Sequence, residues 1–176
     1  MAKIELLATI LFQWEGGYQC DPDDKGNYNS HAELVGTKYG VSAKTYESHY
    51  NAIPDKETIE NLTPEQASFV LRSYWNDCKA DDINNQSIAN ILVDWHYMSG
   101  TGGIKAAQKA LDLIPDSIVG PNTLAAINRG DQSEVFSKIW LARKQFFLDI
   151  CKNNPSQEKF LKGWLNRLNS YKFQTT

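Results

Sequence analysis

Only three cysteines occur in the chain, Cys20, Cys78 and Cys151, and they lie far apart. An odd count at such spacing is no disulfide framework and supplies no paired ligands for zinc. The three histidines, His31, His49 and His96, are equally scattered, so neither a metal centre nor a Cys–His dyad is expected, and no cofactor. No apolar run approaches the roughly 20 residues that span a bilayer, so membrane insertion is not expected either. There is no Gly-x-Ser-x-Gly elbow, no dinucleotide fingerprint and no His-Glu-x-x-His zinc helix. The glycine-rich Ser99-Gly100-Thr101-Gly102-Gly103 does not end in the Gly-Lys-Ser/Thr of a phosphate loop. No linker and no internal repeat interrupts the chain.

What is present is ordinary globular material, 41% apolar and 22% charged over 176 residues. That is enough for one domain with a real core, or one with a small appendage. Charge is unevenly spread. Met1 to Asn128 holds nine Lys/Arg against seventeen Asp/Glu, whereas Arg129 to Thr176 holds nine against four. The basic C-terminal third is suited to lean on an anionic polymer, or is simply a set of solvated helix faces. Nucleic acid is not favoured, because the whole chain is acidic and no basic cluster is interleaved with aromatics. At the N-terminus, Lys3 precedes the short apolar stretch Leu6–Phe12, but Glu5 interrupts its start and Gln13-Trp14-Glu15 is a poor cleavage site. The segment reads as a mature helix with no clear signal peptide, in a protein made in the cytoplasm.

The most informative stretch is Trp14-Glu15-Gly16-Gly17-Tyr18. Ile4, Ala8 and Leu11 recur at helical spacing, and Glu15 is the next residue on that face. The spacing predicts a first helix whose last turn carries Glu15 and which Gly16-Gly17 closes with a left-handed cap. A carboxyl there is disfavoured as an anion by the helix dipole and by apolar surroundings, as suits a general acid. The plainer reading is a solvated glutamate ahead of a glycine cap.

A polar stretch from Gln19 to Gly36 follows, crowded with turn residues, and then the extended Thr37–Ser42. Any β-structure is expected between Tyr18 and Ser42. Asp21, Asp23 and Gly26 fall at the first, third and sixth positions of a calcium loop. However, Lys25 at the fifth and Ala32 at the twelfth exclude that type of site. Beyond Ser42 the pattern is helix after helix: residues 43–51; Thr63 to about Asp77 behind a Thr63–Gln66 capping box; and a helix bearing Ile88, Ile91, Leu92 and Trp95. Residues 104–113 follow, then a short helix opened by Gly120-Pro121. A long helix capped by Asp131 carries Val135, Ile139, Ala142, Phe146 and Ile150, and a last one carries Phe160, Leu161, Trp164, Leu168 and Tyr171. The fold class is mainly α, with a small irregular or β lobe near the N-terminus. The Trp and Tyr positions in these stripes read as core before sugar platforms.

Glycoside hydrolysis asks for little more than this. One protonated carboxyl donates to the leaving oxygen, and a second carboxylate or polar group handles water or the developing positive charge. Glu15 is the natural donor. Asp24 is the natural partner, with Asp21 and Asp23 as competitors and simple capping of its own turn as the bland alternative.

Glu15-Gly16-Gly17-Tyr18, Asp21-Pro22-Asp23-Asp24 and Thr37-Lys38-Tyr39-Gly40-Val41-Ser42 together resemble the N-terminal signature of glycoside hydrolase family 108. The resemblance continues through Tyr74-Trp75, Val93-Asp94 with Ser99-Gly100, and Ala107-Gln108-Lys109-Ala110-Leu111. Ile118–Leu124 and Gly163-Trp164-Leu165-Asn166-Arg167 resemble the peptidoglycan-binding half usually fused to these lysozyme-like N-acetylmuramidases. Two departures stand out: Asn27 to Gly36 reads as an insertion, and Met98 stands where the family commonly has asparagine.

The resemblance implies a lysozyme-like helical body and catalysis by Glu15, cutting peptidoglycan between N-acetylmuramic acid and N-acetylglucosamine. Asp24 and Thr37 complete the candidate catalytic set, and Tyr18, Tyr39, Gly40 and Asp94 are the candidate substrate contacts. Residues 1–86 form the expected catalytic region and residues 87–176 the helical peptidoglycan-binding region, packed as one compact body. The expected partner is peptidoglycan, met at the bacterial cell wall by a monomer of the endolysin type. The competing readings are a non-catalytic wall-binding or secretion-accessory protein and a lytic transglycosylase, which also needs only one glutamate.

Overall fold

The computed structural model describes residues 1–175, and the mainly α expectation holds. The chain divides into two compact units: Met1–Leu7 joined by the chain from Arg72 onward, and Ala8–Leu71. Helix α1 (Ile4–Leu11) runs across that division, with Ile4, Leu7, Ala8 and Leu11 buried. It stops sooner than its periodicity predicts. Phe12 N–H still donates to Ala8 O and Trp14 N–H to Leu11 O, but Glu15 lies beyond the last turn, in a bend. Nor do Gly16 and Gly17 form a left-handed cap; the glycines at positive φ are Gly36, Gly40 and Gly100. Tertiary contact overrides the local pattern, because Phe12 leaves the helix to stack on Tyr39, centroids 4.9 Å apart and planes within 17°.

In the unit Ala8–Leu71, the extended backbone consists of isolated antiparallel bridges among the described residues: Gln19 with Thr37, Tyr28 with Leu34, and Lys38 with Val41. They fall where β-structure is expected. Helix α2 (Ala43–Tyr50) is capped by Ser42 and closed by Asn51 at φ 52°. Helices α3 (Lys56–Glu60) and α4 (Pro64–Ala67) follow, the latter behind the expected capping box of Thr63 and Gln66. The helix expected to run on to Asp77 is not continuous. A 3₁₀ turn, Ser68–Leu71, separates α4 from α5 (Arg72–Asp77), where Phe69 and Val70 are poor helix formers. Val35, Ala43 and Ile59 make a small core, with Tyr18 and Tyr46 packed against it.

The other unit is built around α6 (Gln86–Ser99), which packs on α7 (Thr101–Ala110) and α9 (Gln132–Asn153). Every residue of α6 from Ser87 to His96 is buried, so the helix is enclosed on all sides. The glycine-rich stretch expected as a turn is mostly the first turn of α7. A Cβ at Gly103 would meet the Trp95 carbonyl oxygen at 2.9 Å, so only glycine permits this approach of α7 to α6. Helix α8 (Pro121–Arg129) also contacts α9, and α10 (Glu158–Ser170) follows a 3₁₀ turn, Pro155–Gln157, that Asn154 caps.

On α9 the buried face is Val135, Phe136, Ile139, Arg143 and Phe147, whereas the expected Ala142, Phe146 and Ile150 are only partly buried. On α10, Phe160 proves exposed, while Arg167 and Leu168 are buried. Trp75 and Trp95 are fully buried core residues.

Candidate active site

Glu15 is half-buried, on a short segment held at both ends. Upstream, Phe12 stacks on Tyr39. Downstream, the Tyr18 hydroxyl donates to Val35 O at 3.1 Å. Residues 35–39 therefore grip the chain on either side of Glu15. Gly36 makes the downstream grip possible: its φ is +85°, and a Cβ there would lie 2.5 Å from the Tyr18 ring and 2.6 Å from Gln19 O. Loss of hydration, then the Cys20 side chain and the Glu60 charge, push the Tyr18 hydroxyl up to about 12.

Beyond Tyr18, Gln19 and Thr37 pair through both backbone hydrogen bonds, at 3.0 and 2.8 Å. The Thr37 hydroxyl donates to Asn27 Oδ1 at 2.8 Å. Gln19 Nε2 donates to Asp24 Oδ2 at 3.2 Å and to Asn27 Oδ1 at 3.0 Å. Asn27 Nδ2 returns a bond to Gln19 Oε1 at 2.8 Å and adds one to Asp21 O at 2.9 Å. Asp24 and Thr37 are thus brought together through two amides. Asp24 is exposed, and its Oδ1 caps the following 3₁₀ turn by accepting from Gly26 N–H at 2.8 Å. The Asp21 carboxylate is used locally, accepting from Asp23 N–H at 2.9 Å. Among the described residues no three His, Cys, Asp or Glu side chains gather into a metal-holding group.

Tyr39 and Gly40 are the two central residues of a tight turn, at φ 53° and 75°, closed by the reciprocal bonds between Lys38 and Val41. Positive φ at both positions is the type I′ hairpin turn. A tyrosine there stores roughly 1 kcal/mol of backbone strain. Its stacking on Phe12 and the Lys38 ammonium 5.1 Å from its ring centre hold it there. Gly40 is exposed, with open space where a Cβ would stand, so a ligand can approach its backbone.

Asp94 corrects the expectation. It lies in the other unit, fully buried, with Oδ2 accepting from Arg143 Nη2 at 2.5 Å and Oδ1 from Arg167 Nη2 at 2.6 Å. Both oxygens are spent on core arginines, so Asp94 does not face a substrate. Two cations of the basic C-terminal third are consumed the same way. Nearby motifs also brace each other. Buried Gln108 donates to Asp116 Oδ1, Ile118 O and Thr123 Oγ1, and accepts from Ser117 N–H.

Sequence reasoning missed Gln19 and Asn27. Polar residues in an Asp-rich turn read as solvated loop, whereas in the structure Asn27 is fully buried and both amides are hydrogen-bonded.

Residues 8–100 match the Glycosyl hydrolase 108 family, and residues 102–169 match the Predicted Peptidoglycan domain. A solved structure, that of Brucella abortus SagA, superposes with a TM-score of 0.62 at 24% identity, covering 96% of this chain and 90% of that one. No curated protein matches significantly. With the first match covering more than half of its length, the chain belongs to the glycosyl hydrolase 108 family, an N-acetylmuramidase-type peptidoglycan hydrolase carrying a peptidoglycan-binding domain.

Proposed function

We propose that Glu15 is the general acid of this hydrolase and that Asp24 and Thr37 direct the attacking water. The supporting observation is the double grip of residues 35–39 on the Glu15 segment. Gln19, four residues beyond Glu15, is paired backbone to backbone with Thr37, so chain geometry alone keeps the Cα atoms of Glu15 and Gln19 within about 14 Å. Glycosidic cleavage needs an acid on one side of the bond and a water-directing group on the other. Tyr39 and Gly40 present a strained, accessible turn beside them as a substrate contact, and Tyr18 serves by fixing the loop. Catalysis falls within residues 1–86, where all these residues lie. Wall binding falls within residues 87–176, which contain the peptidoglycan-domain match. The enzyme acts at the cell wall as a monomer of the endolysin type, without a cofactor.

Glu15→Gln keeps shape and hydrogen bonding but has no proton to give. Turnover of purified peptidoglycan should fall by roughly 100-fold or more, with free reducing muramic ends, not anhydro-muramic ends, in the wild-type digest. Wild-type rates from the variant would overturn the assignment.

A further inference from the structure

We propose that Gln19 is a positioning residue of the glycosidase site, aiming the Asp24 carboxylate and, through Asn27, the Thr37 hydroxyl. The inference rests on the assignment of Asp24 and Thr37 to the attacking water. Gln19 is solvent-exposed, yet both ends of its amide are engaged. Nε2 holds Asp24 Oδ2 and Asn27 Oδ1, while Oε1 accepts from Asn27 Nδ2 and Asp21 N–H. An exposed glutamine ordinarily leaves its amide to water, so four internal bonds from one side chain mark a fixed orientation.

The polarity of this network matters more than its bond count. Asn27 Oδ1 accepts from both Thr37 Oγ1 and Gln19 Nε2. The Thr37 proton is therefore committed, and its lone pairs are left to accept from a water. Gln19 Nε2 supplies the only kind of group that can join two acceptors, the Asp24 carboxylate and the Asn27 carbonyl, in one geometry. A water lying between Asp24 Oδ2 and Thr37 Oγ1 would then donate to both and turn a lone pair away from them, toward an electrophilic carbon. The backbone pairing of Gln19 with Thr37 locks the register in which this happens. Asn27, fully buried and also accepting through its carbonyl from Val35 N–H and Gly36 N–H, anchors the same assembly to residues 35–37.

The test compares kcat, KM and thermal midpoint for Gln19→Leu, Gln19→Glu, Asp24→Asn and the Gln19→Leu/Asp24→Asn double variant on soluble peptidoglycan fragments. Gln19→Leu should lower kcat about tenfold through misalignment, with KM and the midpoint near wild type. Added to Asp24→Asn it should cost nothing further, because the two act through one group. Gln19→Glu should be worse at neutral pH, where a second carboxylate faces Asp24. It should regain activity relative to wild type on acidification toward about pH 5, as the two carboxyls share a proton. Circular dichroism should show the same fold at both pH values. Full kcat in both Gln19 variants beside an impaired Asp24→Asn would overturn the inference and leave the site reading standing. Fully additive losses would overturn it too. An unimpaired Asp24→Asn would remove the site reading and this inference together.

Discussion

The side-chain amides of Gln19 and Asn27 hydrogen-bond each other reciprocally, Nε2 to Oδ1 at 3.0 Å and Nδ2 to Oε1 at 2.8 Å. This pair converts an Asp-rich loop into a platform. Each amide keeps one donor or acceptor for a further neighbour, Asp24 on one side and Thr37 on the other.

Thr37→Val keeps the shape and the backbone bridge to Gln19 but removes the hydroxyl that donates to Asn27 and can accept from water. We expect kcat to fall by about tenfold, the worth of one well-placed hydrogen bond. Thr37→Ser should restore most of it, and the thermal midpoint should move little in either. A fully active Thr37→Val would show that the hydroxyl has no part in catalysis.

Much of the fold is legible in the sequence because its signals are local. Thr63 and Asp131 announce helix starts through their own side chains, and each caps as expected. The stripe Ile88, Ile91, Leu92 and Trp95 is buried as its apolar spacing predicts, although the other faces of α6 are buried as well. What is not legible depends on partners distant in sequence. Nothing around Phe12 says that Tyr39 will draw it out of helical continuation. The helical Gly102-Gly103 makes sense only once Trp95 O is seen against Gly103. Arg143 breaks the apolar stripe of α9 because its partner, Asp94, is 49 residues away. At the site, Glu15, Asp24 and Thr37 stand out as residue types, whereas Gln19 and Asn27 are recognisable only by their bonds.

The buried cluster of Asp94, Arg143 and Arg167 should dominate stability in its unit. Asp94→Asn leaves two buried guanidiniums facing a neutral amide, a change expected to cost roughly 3–5 kcal/mol. A urea titration should show a lower midpoint at an unchanged slope. Replacing all three at once (Asp94→Leu, Arg143→Met and Arg167→Leu) should recover much of the loss, since no charge is then left buried. A triple variant weaker than Asp94→Asn would contradict this account.

Alkaline stability should report on Tyr18. Its hydroxyl, ordinarily titrating at 10.0, is pushed up to about 12, so the folded protein holds that proton more tightly than the unfolded chain. The stabilisation is complete below pH 10 and is lost as pH rises through 12. Tyr18→Phe has no such proton and gives up the bond to Val35 O. The gap in thermal midpoint between wild type and Tyr18→Phe should therefore be widest near about pH 9 and narrow toward about pH 12. A gap independent of pH over that range would show that the hydroxyl titrates alike in both states.

The stereochemistry of cleavage follows from how Asp24 is held. A retaining mechanism needs its two carboxyls about 5–5.5 Å apart, with one oxygen aligned to attack the anomeric carbon. Both Asp24 oxygens already accept hydrogen bonds, Oδ1 from Gly26 N–H and Oδ2 from Gln19 Nε2. Each bond draws charge from the oxygen that would attack, and the cap ties the carboxylate to its own turn. A base needs less: one remaining lone pair on Oδ2 to take a proton from water, with Thr37 Oγ1 as the second acceptor. We therefore predict inversion, with Glu15 as acid and Asp24 as base. A β-linked glycan should release the α-anomer first, seen by nuclear magnetic resonance before mutarotation. Asp24→Asn should lower the rate by roughly 100-fold, in the range of a lost general base. Asp21→Asn and Asp23→Asn should cost clearly less, since Asp21 serves its own turn through Asp23 N–H. Release of the β-anomer at the start of the reaction would show retention, and Asp24 would then have to be the nucleophile despite its hydrogen bonds or give way to another group.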